Sequence, residues 1–206
     1  MFFSLIRILI FDGQPGQHSY LGGKMTQEDG MKSTAGKDRA IHYAVFSTPL
    51  GKMIAAGYKN RLCRLEFLGR KKPSAILKPI AERLKTEMSG GKSPILDETR
   101  KQLKMYFDGR LKKFNLPVEL IGTDFQRSVW RQLTRIPQGK TVNYGKIAER
   151  IGKPKGARAA GMAIGSNPIS IVVPCHRVIG KSGDLVGFGG GLWRKKWLLK
   201  HEGTLS

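Results

Sequence analysis

The 206 residues are enough for one large domain or two small ones with a substantial core. Lys and Arg number 37 against 15 Asp and Glu, a formal net charge of +22, which points to a polyanionic partner, nucleic acid before anionic membrane. Two cysteines and no C-x-x-C pair argue against a disulfide framework or a zinc site, and a reducing cytoplasm suits a reactive thiol.

Met1 to Phe11 is apolar but interrupted by Arg7 and shorter than a membrane span. The polar, Gly-rich stretch that follows, to Ala40, reads as disordered or as an over-extended start, since Met25 and Met31 lie within it. Globular patterning begins at Ile41. Ile41–Ser47 and Lys52–Gly57 read as strands joined by a turn at Thr48-Pro49-Leu50-Gly51, and Arg61–Phe67 as a third strand. Cys63 falls in that third strand as a small buried hydrophobe. Apolar residues at three- and four-residue spacing predict helices over Pro73–Met88 and Ile95–Phe107, and Lys112–Glu119 returns as a strand. Residues 41–122 thus form a small α+β domain with nothing that reads as catalytic.

Residues 123–206 form a second, mostly helical domain. Thr123-Asp124-Phe125-Gln126 has capping-box spacing, so a helix runs from Asp124 to Arg135 until Pro137 and Gly139 stop it. Asn143 caps a short helix, Tyr144–Ile151, that Gly152 ends. After the Lys153-Pro154 turn a further helix runs from Lys155 to Ile164, completing a helix-turn-helix outline. A recognition helix reading base edges needs long polar side chains. This one offers Arg158 among small residues: Ala157, Ala159, Ala160 and Gly161. Two readings stand: tight helix packing, or entry into a minor groove with Arg158 as a wedge in the base stack, which implies base flipping.

Ile171-Val172-Val173-Pro174 then delivers Cys175 with His176 beside it, a thiol on a buried strand end next to a base. Adjacent strand residues point to opposite faces, so the pair needs a turn or a bridging water to communicate. Gly187-Phe188-Gly189-Gly190-Gly191 follows, without G-x-G-x-x-G spacing, and no nucleotide cofactor is expected. A basic helix, Leu192–His201, ends near Gly203. Trp130, Trp193 and Trp197 read as core anchors and His201 as a surface or helix-terminal residue.

The ordered set Phe125-Gln126, Val129-Trp130, Ile136-Pro137-x-Gly139-x-Thr141, Tyr144-Gly145-x-Ile147-Ala148, Arg158-Ala159, Asn167-Pro168, Pro174-Cys175-His176-Arg177-Val178 and Trp197-Leu198-Leu199-x-His201-Glu202-Gly203 resembles the methylated-DNA–protein-cysteine methyltransferases, also called O6-alkylguanine-DNA alkyltransferases. The detailed likeness covers about residues 123–203, and the half from Ile41 is similar more loosely. The resemblance implies an α+β chain, with a small ribonuclease H-like α/β domain before a winged-helix-like, mostly helical DNA-binding and active-site domain. It implies a cytoplasmic monomer without cofactor or metal. This monomer would bind double-stranded DNA containing O6-alkylguanine through the minor groove and move the alkyl group to Cys175 once, with O4-alkylthymine a second candidate substrate. On these positions His176 takes the thiol proton through a water and Glu202 holds the imidazole. Asn167 braces the turn behind the DNA-binding helix, and Tyr144 donates to the flipped purine. The small-residue helix from Ala157 to Gly161 meets the DNA, with Arg158 filling the vacated space. The Val178 carbonyl and the amide near Gly189 read the guanine edge. Phe188 and Gly189 depart from the tyrosine and the alanine or serine usual there, which bears on the size of alkyl group accepted.

Three other readings compete. A non-catalytic binder of alkylated DNA, as in the alkyltransferase-like proteins, lacks the acceptor cysteine that stands here at Cys175. A papain-like hydrolase needs a histidine distant from its cysteine in sequence, whereas His176 is adjacent. A plain helix-turn-helix regulator leaves the thiol unexplained.

Overall fold

A computed structural model describes residues 40–205; the expectations for Met1–Phe11, Met25 and Met31 lie outside them. Strands β1 (Ile41–Thr48), β2 (Gly51–Tyr58), β3 (Arg61–Phe67) and β4 (Met88–Gly90) form one sheet in the order β3-β2-β1-β4. β1, β2 and β3 are antiparallel neighbours, and β4 lies parallel to β1. The central strand β2 is buried on both faces. Ile54 and Ala56 pack with Ile41 and Cys63 against α1 (Pro73–Leu84), through Ile76, Leu77, Ile80 and Ala81. Met53 and Ala55 face the other way, into a core with Leu62, Leu65, α2 (Pro94–Phe107) and the second half of the chain.

Two expectations here fail for local reasons. The helix predicted to reach Met88 stops at Leu84, because Lys85 turns left-handed (φ 50°) and its N–H caps Ala81 and Glu82. Residues 88–90 are then free to pair with β1. The strand predicted over Lys112–Glu119 reduces to a single bridge, Leu62 with Val118. Pro117 has no N–H to give a ladder, and Gln102 holds the Asn115 backbone at both its N–H and its carbonyl.

The second half contains α3 (Asp124–Leu133), β5 (Val142–Asn143), α4 (Tyr144–Arg150), α5 (Ala157–Gly165), a 3-10 turn over Cys175–Arg177, β6 (Val178–Ile179) and α6 (Leu192–His201). The capping box forms with both halves present, Thr123 Oγ1 accepting from Gln126 N and Gln126 Oε1 from Thr123 N. The Gln126 amide also donates to Ser166 just past α5. Trp130, 2% exposed, crosses the bundle and donates through Nε1 to the Ala163 carbonyl at 2.7 Å. Asn143 caps α4 through Lys146 N. Trp193 is 57% exposed and is no core anchor, because its position on α6 turns it away from the buried Leu198 and Leu199. His201 is the last residue of α6, the helix-terminal of its two expected places, and it is tied down there: it bonds the Tyr106 carbonyl at 2.7 Å and stacks on Trp197.

Candidate active site

The residues before Cys175 are not a strand. Ile171 adopts φ 71°, a conformation a β-branched side chain tolerates only at a cost of about 1–3 kcal/mol. The Asn167 side chain holds the fold-back: its amide donates to the Val173 carbonyl at 2.7 Å and its oxygen accepts from Ile169 N at 3.0 Å. Cys175 and His176 therefore sit in the 3-10 turn, and the short strand follows them, β6 pairing parallel with β5. Successive residues of such a turn are about 120° apart rather than opposed. The expected strand end is thus replaced by a turn, which removes the obstacle of opposed side chains.

Cys175 is 7% exposed. Burial pushes its thiol above the ordinary value; the Asn167 side chain, the Lys195 charge and the backbone amides of Cys175 and His176 pull the other way without prevailing. The thiol rests protonated, so deprotonation must accompany reaction. His176 is wholly buried, and burial lowers its pKa against the pull of Glu202. Burial alone would raise the Glu202 carboxyl; hydrogen bonds from His176 and Arg177 and their charge override it and bring it to about 2. An ionised carboxylate only accepts. His176 Nε2, 2.9 Å from Glu202 Oε1, must then carry the ring proton. Nδ1 is left as a bare lone pair, buried and without a hydrogen-bond partner among the described residues. A neutral imidazole so oriented is a base.

Glu202 has further donors that sequence reasoning missed. Arg177 gives it Nε at 2.8 Å and Nη2 at 2.9 Å, and the Tyr106 hydroxyl reaches it at 2.8 Å from α2. Another missed group is Lys195, fully buried, whose Nζ donates to the carbonyls of Val178 at 2.5 Å and Val186 at 2.6 Å. Desolvation lowers its pKa to about 8, opposed by Cys175. Its one sequence signal was spacing: Lys195 stands three and four residues before the buried Leu198 and Leu199, on the inward face.

The Tyr144 ring lies over Gly161, where a Cβ would come within 3.5 Å of it, and its hydroxyl donates to the Val186 carbonyl at 3.0 Å. To serve a substrate that hydroxyl must exchange partners. The Val178 carbonyl already accepts from Lys195 and keeps one lone pair. Phe188 packs edge-on against Phe67 of β3 (6.5 Å), and Gly189 stands open: a Cβ there would meet no atom within 4 Å. On α5, Arg158 and Ala159 are exposed and Ala157 half-buried. Ala160 is 0% exposed and packs into the core, so it cannot be one of the DNA contacts: it lies on the inward face with Ala163 and Ile164. Met162, 73% exposed and one turn on from Arg158, takes the outward position instead.

Comparison with known proteins agrees with this geometry. Family models described as the 6-O-methylguanine DNA methyltransferase ribonuclease-like domain and DNA-binding domain match residues 41–120 and 124–204. A methylated-DNA–protein-cysteine methyltransferase of Methanosarcina acetivorans is 42% identical over 80% of this chain and 99% of its own. The Mycobacterium tuberculosis O6-methylguanine methyltransferase structure aligns with a TM-score of 0.68 at 41% identity, covering 81% of this chain and 94% of that one. A structure of the M. tuberculosis protein in complex with DNA aligns at 0.67, with 40% identity, 80% of this chain and 94% of that chain. With matches along both halves and a shielded thiol beside an oriented imidazole, the chain belongs to the methylated-DNA–protein-cysteine methyltransferase family.

Proposed function

We propose that the chain repairs DNA by moving an alkyl group from O6 of guanine to Cys175, once per molecule. The observation that carries this is the buried thiol beside a neutral His176 whose Nε2–H is held by an ionised Glu202. His176 Nδ1, through a water, takes the proton of Sγ as the sulfur attacks the saturated carbon. The S–C bond forms, the C–O bond breaks, and its electron pair leaves with the purine, which then takes up a proton. Tyr144 donates a hydrogen bond to the purine where that charge develops, and Glu202 stabilises the imidazolium. The thioether has no leaving route, so turnover stops after one event.

The substrate base is flipped from duplex DNA held at its minor groove by the outward face of α5, with Arg158 entering the stack and Met162 beside it. Asn167 is the hinge between that helix and the thiol. Val178 and Gly189 read the base edge, and Phe188 lies in the loop walling the pocket. Residues 41–122 and 123–206 are the two domains of a monomer at work in the cytoplasm; among the described residues no helix is long and apolar enough to cross a membrane.

Intact-mass measurement after exposure to a duplex with O6-methylguanine tests the proposal. A gain of one CH2 per molecule on the Cys175 peptide is expected, with no gain in Cys175→Ala. Alkylation of that variant, or an unmodified wild type, would overturn it.

A further inference from the structure

A side chain that the reaction scheme does not use ties the loop after β6 to the first half of the chain. Arg194, in the first turn of α6, donates Nε to the Leu50 carbonyl at 2.8 Å, at the β1–β2 hairpin, and Nη1 to the Gly190 carbonyl at 2.6 Å. Its guanidinium lies 4.5 Å over the Phe67 ring and 4.3 Å over the Trp193 ring. Phe67 in turn meets Phe188 edge-on, and Gly190 is wedged between them: a Cβ there would come within 2.7 Å of both rings. Gly51 leaves the guanidinium its room, since a Cβ at Gly51 would lie 3.2 Å from Nη2. The opposite end of the loop is fixed separately, Val186 accepting from Lys195 and Tyr144. A crevice of about 240 Å³ between Glu66, Phe67, Asn167, Gly189 and Gly190 runs under the free middle.

We propose that Arg194 is a positioning residue that sets alkyl-group size selectivity, clamping Gly190 and, through Phe67, Phe188 to the N-terminal sheet so that the pocket wall cannot retreat. The inference rests on the proposed function, in which this loop walls the substrate site. A planar fork that bonds two carbonyls while stacking on two rings is beyond a lysine, which offers a point charge on a flexible stem. With the clamp gone the loop keeps its Lys195 anchor, and its Phe188 end swings toward the crevice. A wider mouth favours a bulky alkyl group and leaves a methyl group indifferent.

The test compares second-order rate constants for duplexes carrying O6-benzylguanine or O6-methylguanine. Arg194→Ala and Arg194→Lys are each expected to raise the benzyl-to-methyl ratio about tenfold, within the range one pocket contact discriminates. Phe67→Leu should raise it less, since the Arg194 bond to Gly190 survives, Phe67→Tyr should keep the wild-type ratio, and Arg194→Ala with Phe67→Leu should not exceed Arg194→Ala, because the path through Phe67 runs through Arg194. A ratio within twofold of wild type in folded Arg194→Ala, or additive effects in the double variant, overturns the proposal. If Arg194→Ala gives no cooperative melt, Phe67→Leu carries the same decision. A wild type inert toward O6-methylguanine would instead defeat the parent reading.

Discussion

Glu202 concentrates the site's electrostatics in one carboxylate: an imidazole, two guanidinium nitrogens and a phenol converge on it. Its folded pKa, about 2, lies below the usual carboxylate value, so its stabilisation is complete above about pH 4.5 and is lost as pH falls toward 2. His176, kept neutral by burial, acts in the same direction, because the unfolded chain binds that proton first. The expected loss attributable to Glu202 is on the order of 2 kcal/mol by about pH 3. Glu202→Gln should cost about 3–5 kcal/mol at neutral pH, since Arg177 is left buried without a counter-charge, and should then flatten the acid limb. Urea unfolding of both proteins across this range checks it; parallel acid limbs would remove Glu202 as the cause. Cys175 and His176 are legible because they stand side by side, whereas the meeting of His176 with Glu202, 26 residues on, is legible only through the ordered motifs that carry the family resemblance. Tyr106 and Lys195 are not, because a lone tyrosine or lysine at helical spacing carries no mark of the partner it meets after folding.

Helix ends were read well where chemistry within four residues decides them: Thr123 with Gln126, and Asn143, cap α3 and α4 as their spacing predicts. Ile171–Pro174 departs from the strand its β-branched run favours because Asn167, only a few residues upstream, bonds Ile169 N and the Val173 carbonyl and bends the segment back, a side-chain effect that hydrophobic period does not record. Between elements, the Trp130 contact with Ala163 locks α3 to α5, the helix that carries Arg158. Trp130→Phe keeps most of the ring and removes the donor. It should cost about 0.5–1.5 kcal/mol, the net worth of the hydrogen bond, as the Ala163 carbonyl still accepts from Ser166 Oγ. Chemical denaturation measures that loss. A change below about 0.5 kcal/mol would mean that the Trp130 hydrogen bond does not hold the two helices together.

At the scale of the molecule, the sheet and the order of helices were visible in hydrophobic period, whereas β4 and the joining of both halves into one core were not. Those depend on long-range pairing, as between Leu65 and Ile169. α6 shows how far the site leans on such contacts. After Leu192 and Trp193 it places Arg194, Lys195 and Lys196 near the positive end of its own dipole, and no side chain caps it. Its stability comes from what it touches, and it carries Lys195 along its length and Glu202 at its end. Local opening of a weakly self-stabilised segment requires less free energy than global unfolding. Warming should therefore silence the protein in two stages: short pulses of methylated duplex would find the sulfur inert several degrees before circular dichroism records loss of the sheet, whereas simultaneous loss would mean α6 melts only with the rest.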